Sequence, residues 1–78
     1  MDKEIAKVVL SLMDQANGNL NEALKVIKSG GSEEDFLNNR TEIGKIMLEI
    51  YLNVMRPIHN EHSELQPEKL RQSRLRSE

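Results

Sequence analysis

Residues 43–55 read IGKIMLEIYLNVM and form the most apolar stretch of the sequence. On an α-helix, the apolar side chains of residues 46–55 occupy nearly the whole circumference, so such a helix must be buried on more than one side. The stretch contains Lys45, Glu49 and Asn53, and it is too short and too polar to span a bilayer. It therefore predicts a helix that is buried between protein surfaces.

A first, shorter helix is predicted upstream of this stretch, over about 2–16. Asp2 is a typical N-cap, and Asn17-Gly18 is typical of a helix end because both residues tolerate a left-handed backbone. Between these signals the apolar residues recur at helical spacing. They are Ile5, Val8, Val9, Leu12, Met13 and Ala16.

A second short helix is predicted over about 19–29. Asn19 is followed by Glu22 three residues later, which resembles a capping box. Leu20, Leu24 and Ile27 supply its apolar positions, and Gly30-Gly31 is expected to end it. The first two helices would form a hairpin.

The third helix is predicted to be long, over about 33–56. Ser32 is its expected N-cap, and three acidic residues in its first turn favour the positive end of the helix dipole. Pro57 predicts an end or a kink near Met55 or Arg56. A break over residues 38–41 is the alternative, in which Thr41 would cap a new helix.

These lengths predict a dimeric, all-α bundle. Two short helices can cover only about half of a 24-residue helix at 1.5 Å per residue, so the apolar stretch is expected to pack on a second copy of the chain. A monomer whose third helix breaks and folds back is the alternative. The predicted dimer seam consists of Ile43, Ile46, Met47, Ile50, Tyr51, Val54 and Met55.

Composition favours a non-enzymatic, cytoplasmic protein. The chain has no Cys, so thiolate chemistry and disulfides are excluded, and its net charge of −2 provides no strong field for nucleic acid or membrane. The N-terminal residues lack the apolar run of a signal peptide. No phosphate-binding loop, nucleophile motif or cofactor motif is present, so we expect neither catalysis nor a cofactor.

His59 and His62 form the pattern that comes nearest to a metal site. Two histidines at i and i+3 share one face of a helix and could hold Zn²⁺ or Ni²⁺, with Glu61 or Glu64 nearby. The spacing is not that of an H-E-x-x-H motif, and the sequence fixes no third ligand. We expect solvated histidines, and metal binding is the alternative.

The sequence predicts a single helical domain over residues 1–66 and a basic, partly disordered tail over 67–78, in which a short, weakly ordered helix could form. The tail offers no aromatic side chain for base stacking, so a solvated tail is favoured over nucleic-acid binding. The cations that could contact phosphates are Lys69, Arg71, Arg74 and Arg76.

Residues 15–27, QANGNLNEALKVI, carry a local resemblance to known folds. The stretch resembles the second loop and third helix of ubiquitin-associated-type domains and the similar amino-terminal module of translation elongation factor Ts. A Fis-type helix-turn-helix also has a comparable Gly-Asn turn. The resemblance implies a turn at Gly18-Asn19, and it is confined to this stretch, so no family is assigned.

The sequence as a whole predicts a homodimeric protein-interaction or regulatory module, which could bind a further protein of unknown identity. A nucleic-acid-associated regulator that uses the basic tail and a metal-binding protein that uses His59 and His62 are the alternatives.

Overall fold

Two long helical segments joined by a short turn make up the computed structural model, which describes residues 1–66. This part of the chain contains helices and no strand, so the all-α prediction is confirmed for it. The predictions for the tail, including its four cations, lie outside the described residues. The elements are α1 (Lys3–Gly30), α2 (Glu33–Ile50), a π-helical turn (Tyr51–Met55), α3 (Arg56–Glu61) and a 3₁₀ turn (Ser63–Leu65).

The predicted division of the N-terminal region into two helices is wrong, because α1 continues through Asn17-Gly18. Its inward positions follow an unbroken spacing of four and three residues on both sides of Asn17, so one continuous face packs against α2. Against that packing, an interior glycine costs only about 1 kcal/mol. The turn implied by the local resemblance is therefore absent. The inward positions are Ala6, Leu10, Met13, Asn17, Leu20, Leu24 and Ile27.

The turn between the two helical segments lies at Gly31-Ser32, where the sequence predicted the end of one helix and the N-cap of the next. The Gly31 N–H donates to the carbonyl of Ile27 at 2.7 Å, and a Cβ on residue 31 would lie 2.9 Å from that same oxygen. The Ser32 Oγ accepts from the Asp35 N–H at 3.0 Å, as an N-cap should. Both helix-boundary predictions are confirmed here.

The alternative break at residues 38–41 does not occur. The Thr41 hydroxyl donates to the carbonyl of Leu37 at 3.2 Å, and the Asn39 amide donates to the carbonyl of Asp35 at 2.8 Å. Both side chains thus bond back one turn within α2 instead of capping a new helix.

Pro57 predicted an end or a kink near Met55 or Arg56. The chain does not end its helical path there, but the regular α-helix is interrupted just before Pro57 by a π-helical turn that leads into α3. The Arg56 N–H donates to the carbonyl of Tyr51, five residues back. A regular helix would set the Pro57 ring against the carbonyl four residues earlier, and the wider turn relieves that contact.

The π-helical turn also shifts the buried face by one residue. In a regular helix, the inward positions Ile50 and Val54 would be followed by Pro57 and Glu61, seven residues on. Instead Pro57 and Glu61 are exposed, and Ile58 and its neighbour His59 are buried. The π-helical turn therefore keeps Pro57 and Glu61 out of the core and brings Ile58 and His59 into it.

The hydrophobic core lies between the N-terminal part of α1 and the C-terminal end of the second segment. Its buried apolar residues are Ala6, Leu10, Met55 and Ile58. α1 runs the full length of the second segment, so the expectation that short helices leave half of it uncovered is wrong. The partly buried residues that pack on the core are Val9, Met13, Ile50, Val54 and Leu65.

Asn17 interrupts the apolar face of α1 with a polar side chain. Its Nδ2 lies 3.9 Å from the Met55 sulfur, and its buried Oδ1 has no hydrogen-bond partner within residues 1–66. A polar group at an inward position weakens a helix pair but fixes its register.

Candidate interaction surface

Three exposed apolar side chains in the N-terminal half of α1 lie along one line of the helix. Ile5, Val8 and Leu12, which we call the α1 stripe, are 51–58% exposed. Their spacing of three and four residues places them on a single face. An exposed apolar stripe of this kind is typical of a protein-interaction surface.

The α1 stripe exists because the N-terminal part of α1 is apolar on two adjacent faces. Ala6, Leu10 and Met13 face the core formed with the second segment, so Ile5, Val8 and Leu12 are turned away from it. The sequence prediction had combined residues of both faces into one broad stripe. Separating the series 5-8-12 from the series 6-10-13 is the signal that could have found the exposed face.

Charges beside the α1 stripe are neutralised within the chain. Lys7 Nζ lies 3.4 Å from a carboxylate oxygen of Glu4, which borders the stripe one turn before Val8. Lys3 pairs with Glu64 at 3.6 Å on the side of α1 that faces the second segment. Both pairs are exposed and contribute little to stability. The Glu4–Lys7 pair neutralises a carboxylate beside the stripe.

The predicted dimer seam is divided between the core and the surface. Met55 is buried in the core, and Ile50 and Val54 pack against it, so these three face the chain's own α1. Ile46 and Tyr51 are 47% and 37% exposed. The remaining two, Ile43 and Met47, are partly buried.

A polar cluster joins the two ends of the hairpin, and we call it the terminal clasp: Met1, Lys3, Glu61, His62 and Glu64. The Met1 amine donates to a Glu61 carboxylate oxygen, and His62 Nε2 donates to the Met1 carbonyl at 2.7 Å. The His62 ring also lies 3.6 Å from Glu61 and 3.7 Å from Glu64. The clasp closes the open end of the hairpin beside the core.

Both carboxylates of the terminal clasp are stabilised in the charged form. The hydrogen bond from the Met1 amine lowers the pKa of Glu61 from its ordinary value. The pKa of Glu64 is lowered mainly by a backbone hydrogen bond, with Lys3 and His62 adding to the effect. Charged acceptors at these positions therefore favour the closed hairpin.

We expect the terminal clasp to fail in acid. A lowered pKa in the folded state gives stability that is complete above the ordinary glutamate pKa of about 4.3 and is lost as the pH falls through the lowered values. The midpoint of thermal unfolding, followed by circular dichroism from pH 6 to pH 2, should fall in that range.

The same scan distinguishes the clasp from general acid unfolding. The double variant Glu61→Gln/Glu64→Gln should start from a lower midpoint at pH 6 and show a smaller further loss in acid. Glu42→Gln/Glu49→Gln, which removes the same number of charges from α2, should keep the acid dependence of the parent protein. Equal scans for the two double variants would show that the clasp carries none of this dependence.

The two histidines occupy different environments. The expectation of solvated histidines is wrong for His59, which is buried beside the core. His62 is held in the terminal clasp. Within the part of the chain that the structure describes, no group of three His, Asp or Glu side chains is arranged to hold a metal ion. The predicted pair is therefore not joined by a third ligand among residues 1–66.

No protein-family model, curated protein or solved structure matches this chain. Residues 1–66 contain no helix with the length and apolar character that a membrane crossing needs. The surfaces of the hairpin are therefore the features that indicate a function. The α1 stripe is apolar and the charges beside it are paired, so it can exclude water on contact with another apolar surface, as a binding surface does.

Proposed function

We propose that this chain is a self-associating interaction module, in which the α1 stripes of two copies pack against each other. The observation that carries the proposal is the regular spacing of Ile5, Val8 and Leu12 on an exposed face of α1. The proposal keeps the homodimer predicted from the sequence and moves its centre from the middle of α2 to the N-terminal part of α1.

The small size of the core supports this proposal. Within residues 1–66, only four apolar side chains are buried in the cluster between α1 and the second segment. A core in a chain below about 80 residues rarely supplies more than about 3–5 kcal/mol, and association is a common way to add to it. Packing two α1 stripes together would bury apolar side chains that the single hairpin leaves exposed.

Charge and geometry favour a second copy as the partner. The ion pair of Glu4 with Lys7 neutralises a carboxylate beside the stripe, so two identical surfaces do not repel each other strongly. Two hairpins related by a two-fold axis would form a four-helix bundle, in which each stripe packs against its counterpart. Ile46 lies on α2 and is exposed, and it is a candidate to extend the interface.

Val8→Glu tests this proposal directly. An unpaired carboxylate in a water-excluding seam costs several kcal/mol, so we expect at least a 100-fold weaker association. Sedimentation velocity over a range of concentrations measures the effect, and circular dichroism checks that the helices are retained. Because Val8 is 58% exposed, the variant should fold.

Leu48→Glu is the matched control, since it introduces the same charge at an apolar residue that is 56% exposed and lies on α2, outside the α1 stripe. We expect it to sediment like the parent protein. A parent protein that stays monomeric at millimolar concentration would refute the proposal, as would equal dissociation constants for the two glutamate variants.

The two other functions considered from the sequence have less support. A nucleic-acid role would depend on Lys69, Arg71, Arg74 and Arg76, which lie outside the described residues. A metal role would require His59 and His62, and the Nε2 atom of His62 already bonds to the Met1 carbonyl. Both remain predictions.

A further inference from the structure

A hollow of about 310 Å³ lies between α1 and α2 beside the turn, at the opposite end of the hairpin from the terminal clasp. We call it the basic groove. The residues that line it are Asn21, Leu24, Lys25, Lys28, Phe36 and Arg40.

The groove has an apolar part formed by Leu24 and Phe36, one from each helix, and both side chains are only partly buried. The Lys28 ammonium lies 5.7 Å from the centre of the Phe36 ring, close enough for a cation–π contact. A second hollow of about 320 Å³ shares Lys28 and Phe36 with the first. The apolar surface thus continues past the ring towards the turn.

The charge of the groove is unbalanced. Lys25 pairs with Glu22 at 3.1 Å, but Lys28 and Arg40 are in no ion pair within residues 1–66, and no acidic side chain lines the hollow. Glu33 lines the second hollow, so the excess of positive charge belongs to the first hollow alone. Two cations without an ion-pair partner among residues 1–66, beside a partly buried aromatic ring, favour a ligand that brings both negative charge and an apolar group.

We propose that the basic groove binds an acidic peptide segment of another protein, with one apolar side chain seated between Leu24 and Phe36. Carboxylates of that segment would pair with Lys28 and Arg40, which lie on opposite helices. Two adjoining hollows along a helix pair suit an extended or helical segment better than a compact small molecule. The groove and the α1 stripe lie at different ends of the hairpin, so both surfaces can be occupied together.

A labelled peptide tests this inference. The probe is a fluorescein-labelled peptide of 14 residues that is rich in Glu and carries Leu at two positions four apart. Its binding to the full chain is followed by fluorescence anisotropy at low and at physiological salt. We expect saturable binding that weakens with salt, and Arg40→Glu should weaken it at least tenfold because attraction becomes repulsion.

Arg56→Glu is the matched control, because it makes the same charge change at an exposed residue of α3 far from the turn. Its affinity for the peptide should stay within twofold of that of the parent protein. Val8→Glu should also bind the peptide normally, so a failure of self-association would not affect this test. Circular dichroism of Arg40→Glu, with Arg40→Gln as a milder variant, checks that the fold is retained.

Four outcomes would overturn the inference. The first is an equal loss of affinity for Arg40→Glu and Arg56→Glu. The second is undiminished binding of a peptide in which Ser replaces both Leu residues, which would show that charge alone is recognised. The third is undiminished binding after every Glu of the peptide becomes Gln. The fourth is tighter, Arg40-dependent binding of a single-stranded DNA oligonucleotide, which would assign the groove to nucleic acid.

Discussion

Leu10→Ala should leave most of the protein unfolded at room temperature. Leu10 is 8% exposed and lies in the core with Ala6, Met55 and Ile58. Truncating a buried leucine costs about 2–5 kcal/mol, because transfer energy is lost and a cavity remains. The core of so short a chain supplies about that much in total. Urea unfolding followed by circular dichroism at 222 nm measures the change in the free energy of unfolding.

Leu48→Ala provides the comparison for this experiment. Leu48 is 56% exposed in α2, so the same truncation should change the free energy of unfolding by less than about 0.5 kcal/mol. Both variants are measured at one protein concentration, since any self-association would add to apparent stability. If the two truncations destabilise equally, the core does not lie where the structure places it.

The second large effect concerns the π-helical turn. Deleting Asn53, an exposed residue within the turn, should restore a regular helix while keeping the faces before and after it aligned. Pro57 would then stand in the interior of that helix and clash with a carbonyl four residues earlier. We expect the deletion to cost about 3 kcal/mol in unfolding free energy for this reason.

Combining the deletion with Pro57→Ala isolates the cause. If the wide turn accommodates the proline, the deletion should be nearly neutral in the Pro57→Ala background. The coupling between the two changes, obtained from the four unfolding free energies, should then be close to the full effect of the deletion. A coupling near zero would mean that the turn has another origin.

The helix ends at Asp2 and Ser32 were predictable from the sequence because short-range capping alone determines them. The Asp2 carboxylate accepts from the Glu4 and Ile5 N–H groups at 3.1 and 3.4 Å, as the N-cap pattern implies. Ser32 behaves in the same way. Such contacts lie within a few residues, so the local sequence contains all the information they need.

The path of the chain through Asn17-Gly18 was not predictable from capping rules. These residues permit a turn but do not require one, and the choice depends on packing against α2, which lies far away in the sequence. The inward spacing that continues from Leu10 through Asn17 to Leu24 was the better signal. The length of α1 then decided how much of the apolar stretch could be covered within one chain.

The apolar circumference of residues 46–55 also had a cause that a regular helical wheel could not show. The π-helical turn shifts the inward face by one residue, so apolar side chains are required on both sides of the shift. A change of register within one helix therefore explains part of the apolar surface that the sequence assigned to a second interface. The exposed Ile46, Leu48 and Tyr51 are the part that this change leaves unexplained.

The position of the turn at Gly31-Ser32 has a consequence for how the hairpin assembles. Phe36 and Lys28 meet next to the turn, whereas the partners in the terminal clasp, Met1 and Glu61, are 60 residues apart in the chain. Closing a longer loop loses more chain entropy. Zippering should therefore start at the turn and reach the core residues Leu10 and Ile58 last, so the hairpin gains its main apolar contacts only when its two ends meet.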